Sequence, residues 1–130
     1  MTKRIIIGGH GGQGIKFLSE MFCEMLIEEG YEVSLTLIYD AAIQGGEIYS
    51  NIVYSDKKID NPVIDKADLV LLFSEMKQEF NSDNIILKEF ESNTIALGFL
   101  IKFFKLDWSR IVSNSKFIDF REDINKGYAM

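Results

Sequence analysis

Cysteine, histidine and proline each occur once in these 130 residues, and each scarcity excludes something. Cys23 alone makes no internal disulfide, and one thiolate holds neither an iron–sulfur cluster nor a structural zinc. It falls inside an apolar-periodic run and reads as a small buried residue. The single histidine, His10, sits between glycines without an Asp or a second His nearby in sequence. It reads either as a ligand contact or as loop filler. Basic residues are also in deficit: fourteen Lys and Arg face twenty Asp and Glu, a net charge of −6. That balance argues against a nucleic-acid binder, whose affinity depends on clustered cations. No apolar run approaches the roughly eighteen residues of a membrane span. The N-terminus turns glycine-rich too soon for a signal peptide, so a cytoplasmic location is expected. The length suits one domain, residues 1–130, and neither a linker nor a repeat divides it.

What is abundant is glycine in one place. Arg4–Ile7 is a branched apolar run that reads as a short buried strand. Five glycines follow between Gly8 and Gly14. From Ile15 to Glu29 the residues Ile15, Phe17, Leu18, Met21, Phe22, Met25 and Leu26 recur at helical spacing, with Glu20, Glu24, Glu28 and Glu29 on the wet face. Gly30 is placed to end that helix in a left-handed conformation. Tyr31–Ile38 reads as a second strand. Strand, glycine loop, helix, glycine and strand make a βαβ unit, which predicts a parallel pair with a right-handed crossover.

Further along, Ile48–Tyr54 alternates as a strand, with Ile48, Ser50, Ile52 and Tyr54 on one side. Leu69–Phe73 reads as a buried strand, at whose C-terminal end a doubly wound fold places functional groups. The rest reads as helical. Asn93–Lys105 is too continuously apolar for a surface helix and suits a core or a subunit contact. Asp107 is a candidate N-cap, and a last amphipathic segment runs from about Phe117 to Tyr128.

Gly9-His10-Gly11-Gly12-Gln13-Gly14 satisfies G-x-G-x-x-G between a strand and a helix, the setting of a dinucleotide fingerprint. Glycines there let backbone N–H groups approach an anion at the positive end of the helix. Asp40, just past the second strand, stands where a ribose-binding acid would. Any tight strand-to-helix turn also wants glycines, so a turn without a ligand stays open.

The surrounding blocks narrow the choice. "RIIIGGHGGQGIKFLSEMF", "YDAAIQGGEIYSNIVYSD", "IDNPVIDKADLVLLFSE" and "NTIALGFL" resemble, in order, those of the gamma subunit or domain of 2-oxoacid:ferredoxin oxidoreductases, which act on pyruvate, 2-oxoglutarate, 2-oxoisovalerate or indolepyruvate. The family's G-x-G-G-Q-G is Gly9–Gly14. Its Arg-Gly-Gly before a strand ending in Ser-Asp corresponds to Gln44-Gly45-Gly46 and Ser55-Asp56. Its Asn-x-x-x-Leu-Gly helix start corresponds to Asn93–Gly98, and the closing "INKGYAM" is similar to the family's tail. Two departures stand out. Gln44 replaces the family's Arg and removes a fork-shaped cationic contact. Only Met76–Ser92 separates two blocks that usually flank a helix and one or two strands. A sheet reduced in size is therefore expected, with an edge open or covered by a partner.

The resemblance implies a Rossmann-like, three-layer α/β/α fold with a mainly parallel sheet. It implies a subunit of an enzyme that oxidatively decarboxylates a 2-oxoacid to an acyl-CoA. Thiamine diphosphate, magnesium, iron–sulfur clusters and coenzyme A are expected in the complex, with none held by this chain alone. No thiamine diphosphate signature is present here, so the catalytic centre would lie on thiamine-binding and iron–sulfur partner subunits, and the isolated chain would be inactive. Gly9, Gly11, Gly12, Gln13 and Gly14, with Asp40, Gln44, Gly45 and Gly46, would form two loops at one sheet edge facing a cofactor or a partner. A homodimer is left open. Two other readings are a free-standing nucleotide-binding domain and a degenerate structural relative.

Overall fold

The computed structural model describes residues 1–39 and 46–130 and, for Asp40, the backbone alone. The chain forms two compact units, Met1–Glu89 and Phe90–Met130.

The first unit is a five-stranded sheet with one long helix. In chain order it runs β1 (Thr2–His10), α1 (Ile15–Glu28), β2 (Glu32–Asp40), β3 (Glu47–Ser55), β4 (Leu69–Leu72) and β5 (Ile85–Leu87). In space the order is β2-β3-β1-β4-β5. β1 pairs parallel with β4, and β4 parallel with β5. β3 is antiparallel to both β1 and β2. Four of the five strands therefore point the same way and β3 alone runs against them, so the sheet is mainly parallel in direction.

Two expectations need correcting. β1 and β2 do point the same way, but they are not a hydrogen-bonded pair, because β3 lies between them along its full length. The βαβ pattern fixes direction and leaves room for a later strand to insert. β3 can fill that gap because it returns from the end of β2 and pairs with it antiparallel. The second correction is β5. The segment after Phe73 read as helical, yet Ile85–Leu87 forms a short edge strand. Three residues carry too little periodicity to announce themselves.

Burial explains the register. Ile5 and Ile7 of β1 and Leu69 and Leu71 of β4 are wholly inaccessible, as is Ile52 of β3. The helix α1 covers their face with Leu18, Phe22, Met25 and Leu26. A polar pin crosses this apolar layer: buried Ser19 donates to the Ile15 carbonyl and pairs with Ser50 Oγ at 2.8 Å. The opposite face holds Ile6, Ala67 and Val70, with Tyr49, Ile64 and Phe80 packed against them. At its end α1 closes as expected. Gly30 has φ 90°, its N–H reaches the Ile27 carbonyl, and Tyr31 N–H reaches Leu26. This left-handed stop satisfies carbonyls that the last turn would otherwise leave unpaired.

The second unit contains α2 (Asn93–Phe103), α3 (Trp108–Ser113), a short 3₁₀ turn at Ile118–Phe120 and α4 (Arg121–Tyr128). Ser92 caps α2 by accepting from Ile95 N–H, and Asp107 caps α3 by accepting from Arg110 N–H. Helices α2 and α4 cross at Gly98 and Gly127. A Cβ on Gly98 would meet the Ile124 carbonyl, and one on Gly127 the Ile95 carbonyl. The backbones touch there because neither residue has a side chain. Ile95, Leu97, Leu100 and Ile101 are buried, while Phe99, Phe103 and Phe104 are half-buried and pack in series, first tilted and then edge to face, with centroids 6.4 and 5.0 Å apart.

Candidate functional site

The end of β1, the glycine loop and the start of α1 build one corner at the C-terminal edge of β1 and β4. Gly12 has φ 87° and Gly14 φ 77°, a region closed to most side chains. Gly14 is the N-cap of α1 and offers no side chain to it, so the first turn begins without a side-chain cap. Gly11 N–H donates to the Gly46 carbonyl at 3.1 Å, tying the first loop to the end of the second.

Gln13 explains the spacing of the motif. Its side chain folds back over Gly9, where a Cβ would collide with Oε1. In that position Oε1 accepts from His10 N–H at 2.7 Å and from the Ser74 hydroxyl at 3.0 Å. The backbone N–H can only donate, which fixes that end of the carboxamide as oxygen. Since Ser74 spends its proton on Gln13, its oxygen faces His10 Nδ1, 2.6 Å away, as an acceptor. Nδ1 therefore carries a proton. The other ring nitrogen, Nε2, lies 3.8 Å from Glu47 Oε2.

Glu47 anchors this arrangement. It is 4% exposed, and its carboxylate accepts from the backbone N–H groups of Lys77 and Gln78. The Lys77 bond is the leading cause that holds its carboxyl below the ordinary value of 4.5. Burial opposes the shift, while the Gln78 bond and the charges of His10 and Lys77 add to it. Glu47 thus fastens the turn after β4 to the start of β3, with His10 beside it.

Over the loop lies an open cleft of about 550 Å³. It is lined by His10, Gly11, Gly12 and Gly14 of the loop, by the apolar side chains of Ile15, Phe17, Tyr39 and Ile48, and by Lys16 and Glu20. Lys16 and Glu20 stand 3.9 Å apart, so among the described residues the lysine that lines the cleft faces a carboxylate.

The expected site residues divide three ways. Gly11, Gly12 and Gly14 line the cleft, and Gly46 receives the loop. Gly9 and Gln13 lie beneath it, with Gln13 Oε1 engaged inward. Gln44, Gly45 and the Asp40 side chain lie outside the described residues. Sequence reasoning missed Ser74 and Glu47, the partners that give His10 its setting. Ser74 stands just past β4, at the strand end where functional groups were expected. Cys23 is buried, and its thiol is pushed up to about 12 by burial first and by Glu20 second. Among the described residues no group of three His, Cys, Asp or Glu could hold a metal ion.

Three solved structures share the fold. The gamma subunit of a keto/oxoacid ferredoxin oxidoreductase from Geobacter sulfurreducens superposes with a TM-score of 0.68 at 15% identity, covering 99% of this chain and 95% of that one. The pyruvate oxidoreductase subunit PORC from Thermotoga maritima gives 0.67 at 18% identity, covering 98% and 96%. A 2-oxoglutarate:ferredoxin oxidoreductase from Magnetococcus marinus gives 0.70 at 18% identity. There, 98% of this chain matches only 30% of a longer one. A search of curated protein sequences gives no match. The profile that describes pyruvate ferredoxin/flavodoxin oxidoreductases matches residues 4–97, from the first strand through the start of α2. The chain belongs to the pyruvate ferredoxin/flavodoxin oxidoreductase family.

Proposed function

We propose that this chain is the gamma-type subunit of a thiamine-diphosphate-dependent 2-oxoacid:ferredoxin or other acceptor oxidoreductase, forming an acyl-CoA from a 2-oxoacid. The observation that carries the reading is the family match over residues 4–97, which contains the whole glycine-loop corner. In this reading residues 1–130 act as one gamma-type domain in the cytoplasm. No helix among the described residues is long and apolar enough to cross a membrane.

The chain's own chemistry is presentation. Gln13, Ser74, His10 and Glu47 lock the loop from below, leaving Gly11 and Gly12 exposed at the cleft. Such a loop offers a pre-formed backbone surface to a cofactor edge or to a facing subunit. Magnesium, thiamine diphosphate and iron–sulfur clusters belong on the partner subunits. Buried Cys23, with its raised thiol, does not fit a cluster ligand, which must be a thiolate. Coenzyme A is expected in the complex, and the loop residues Gly9, Gly11, Gly12, Gln13 and Gly14 with Asp40, Gln44, Gly45 and Gly46 are the ones we place at the cofactor or partner face.

Gentle affinity purification of the tagged chain from its own cells tests this, with native mass spectrometry and assays for thiamine diphosphate and iron. Larger chains carrying both establish the subunit role, and 2-oxoacid-dependent dye reduction then names the substrate. A lone chain eluting with a nucleotide in the cleft would replace this reading with a free-standing binding domain. A self-associated chain without other subunits would leave only a homodimer.

A further inference from the structure

We propose that the outer edge of β2 is a docking line where an extended, basic segment of a partner subunit adds one strand to the sheet. The inference rests on the subunit reading and names the surface that would serve it.

β2 ends the sheet order, and among the described residues only β3 pairs with it. It is nine residues long, and Val33–Tyr39 contains no proline, glycine or charged residue. Soluble proteins usually blunt such an edge with Lys, Pro, a bulge or brevity. The opposite edge, β5, follows that rule with three residues. β2 follows none of it.

Its side chains are also short of cover. Val33, Leu35, Leu37 and Tyr39 stand opposite Tyr54, Ile52, Ser50 and Ile48. Those four β3 residues are all buried, whereas none of Glu32–Tyr39 is, despite the apolar content of the strand. The helix α1 packs over β2 as well as β3, yet every side chain from Glu32 to Tyr39 keeps part of its surface exposed at this edge. A strand added along the edge would supply both the missing hydrogen bonds and neighbours for these side chains. The line also continues into the cleft, because Tyr39, 61% exposed, forms one of its walls beside Phe17 and Glu20.

Charge selects the occupant. Glu32 begins the strand and Asp40 ends it, while Glu20 in the adjoining cleft is already met by Lys16. An antiparallel second copy centred on Thr36 would set Glu32 of each chain opposite Asp40 of the other. Like charges directly opposite destabilise a strand pair. A partner strand with apolar residues at its centre and Lys or Arg at its ends meets the same line with matched charge.

Amide hydrogen exchange on the complex recovered from cells is the test. In the isolated chain the β2 amides that point away from β3 should exchange quickly. In the complex they should slow by about tenfold or more, alternating with amides already protected by β3. Thr36→Lys puts a charge on an exposed position of the line and should cut recovery of partner chains by about tenfold, with the melting temperature of the free chain kept. Unchanged β2 exchange in a complex that does contain thiamine-bearing chains overturns the docking line and leaves the subunit reading standing. Recovery of no other chain overturns both. Concentration-dependent protection of β2 in the isolated chain would make a second copy the occupant and overturn the basic partner.

Discussion

Gly9→Ala tests whether the first glycine of the motif exists for the sake of Gln13. Gly9 lies within β1 and is not among the positive-φ residues, so alanine suits its backbone. Its new Cβ, however, would occupy the place of Gln13 Oε1, with Ile15 Cδ1 at 3.1 Å and Phe73 Cβ at 3.3 Å behind it. The carboxamide must swing out and give up its bonds from His10 N–H and the Ser74 hydroxyl. At about 1 kcal/mol net for each bond, the cost is about 2 kcal/mol. Gln13→Ala forfeits the same two bonds and should cost a similar amount. The double variant should then lose about 2 kcal/mol and not the additive sum of about 4, a coupling of about 2 kcal/mol. Urea unfolding followed by amide exchange in β1 and β4 reads this. With a slope of about 2 kcal/mol per M, each single variant lowers the midpoint by about 1 M. Additive losses, or a Gly9→Ala cost below about 0.5 kcal/mol, would refute the argument.

Three other outcomes follow from the same geometry. Gly98→Ala and Gly127→Ala each drive a Cβ into a carbonyl of the facing helix, which no rotamer relieves. Each should destabilise the second unit by at least about 1–3 kcal/mol, visible in the fluorescence of Trp108, the single tryptophan. Glu47 has its carboxyl held low in the folded chain, so its contribution is fully present above the ordinary 4.5 and is lost as pH falls through the lowered value. Glu47→Gln should therefore be less stable than the parent at neutral pH, the gap closing in acid, as paired urea titrations from pH 7 to pH 3 would show. Cys23, buried and with its thiol pushed up to about 12, should react with a thiol reagent in the native protein only at the rate of unfolding. Fast native labelling would contradict that burial.

How much of this could be read from sequence depends on how far apart the interacting residues lie. The glycine loop, α1 and its left-handed stop at Gly30 involve neighbours in the chain, and the spacing of Leu18, Phe22 and Met25 displays them directly. The common direction of β1 and β2 was also legible. The place of β3 was not, because inserting between β1 and β2 depends on pairing partners that no local pattern encodes. β5 was lost for a different reason: Ile85–Leu87 is an apolar run of only three residues, too short to show a strand period or to be told from part of a helix.

His10 carries the same lesson into the site. In sequence it is one histidine among glycines, with no acid nearby. In space Ser74, 64 residues on, meets Nδ1, and Glu47 approaches Nε2. Gln13, three residues away, binds the backbone of His10 and the hydroxyl of Ser74 with one oxygen atom. Gly9 is bare so that this oxygen can sit where it does, and Gly12 and Gly14 turn the chain so that Gln13 can reach back. The fingerprint glycines therefore have a structural purpose that needs no bound phosphate: they let one glutamine join β1 to the end of β4. That changes what a glycine substitution reports. Loss of function after Gly9→Ala alone would not identify a ligand contact, since the network beneath the loop fails first. The discriminating position is Gly12, where a Cβ meets nothing within 4 Å but the backbone has φ 87°. Gly12→Ala strains the loop by about 1 kcal/mol while sparing the Gln13 bonds. If partner recovery falls in Gly12→Ala with the urea midpoint nearly kept, the exposed loop itself makes the contact. If recovery tracks stability in both variants, the loop serves the fold and the docking lies elsewhere.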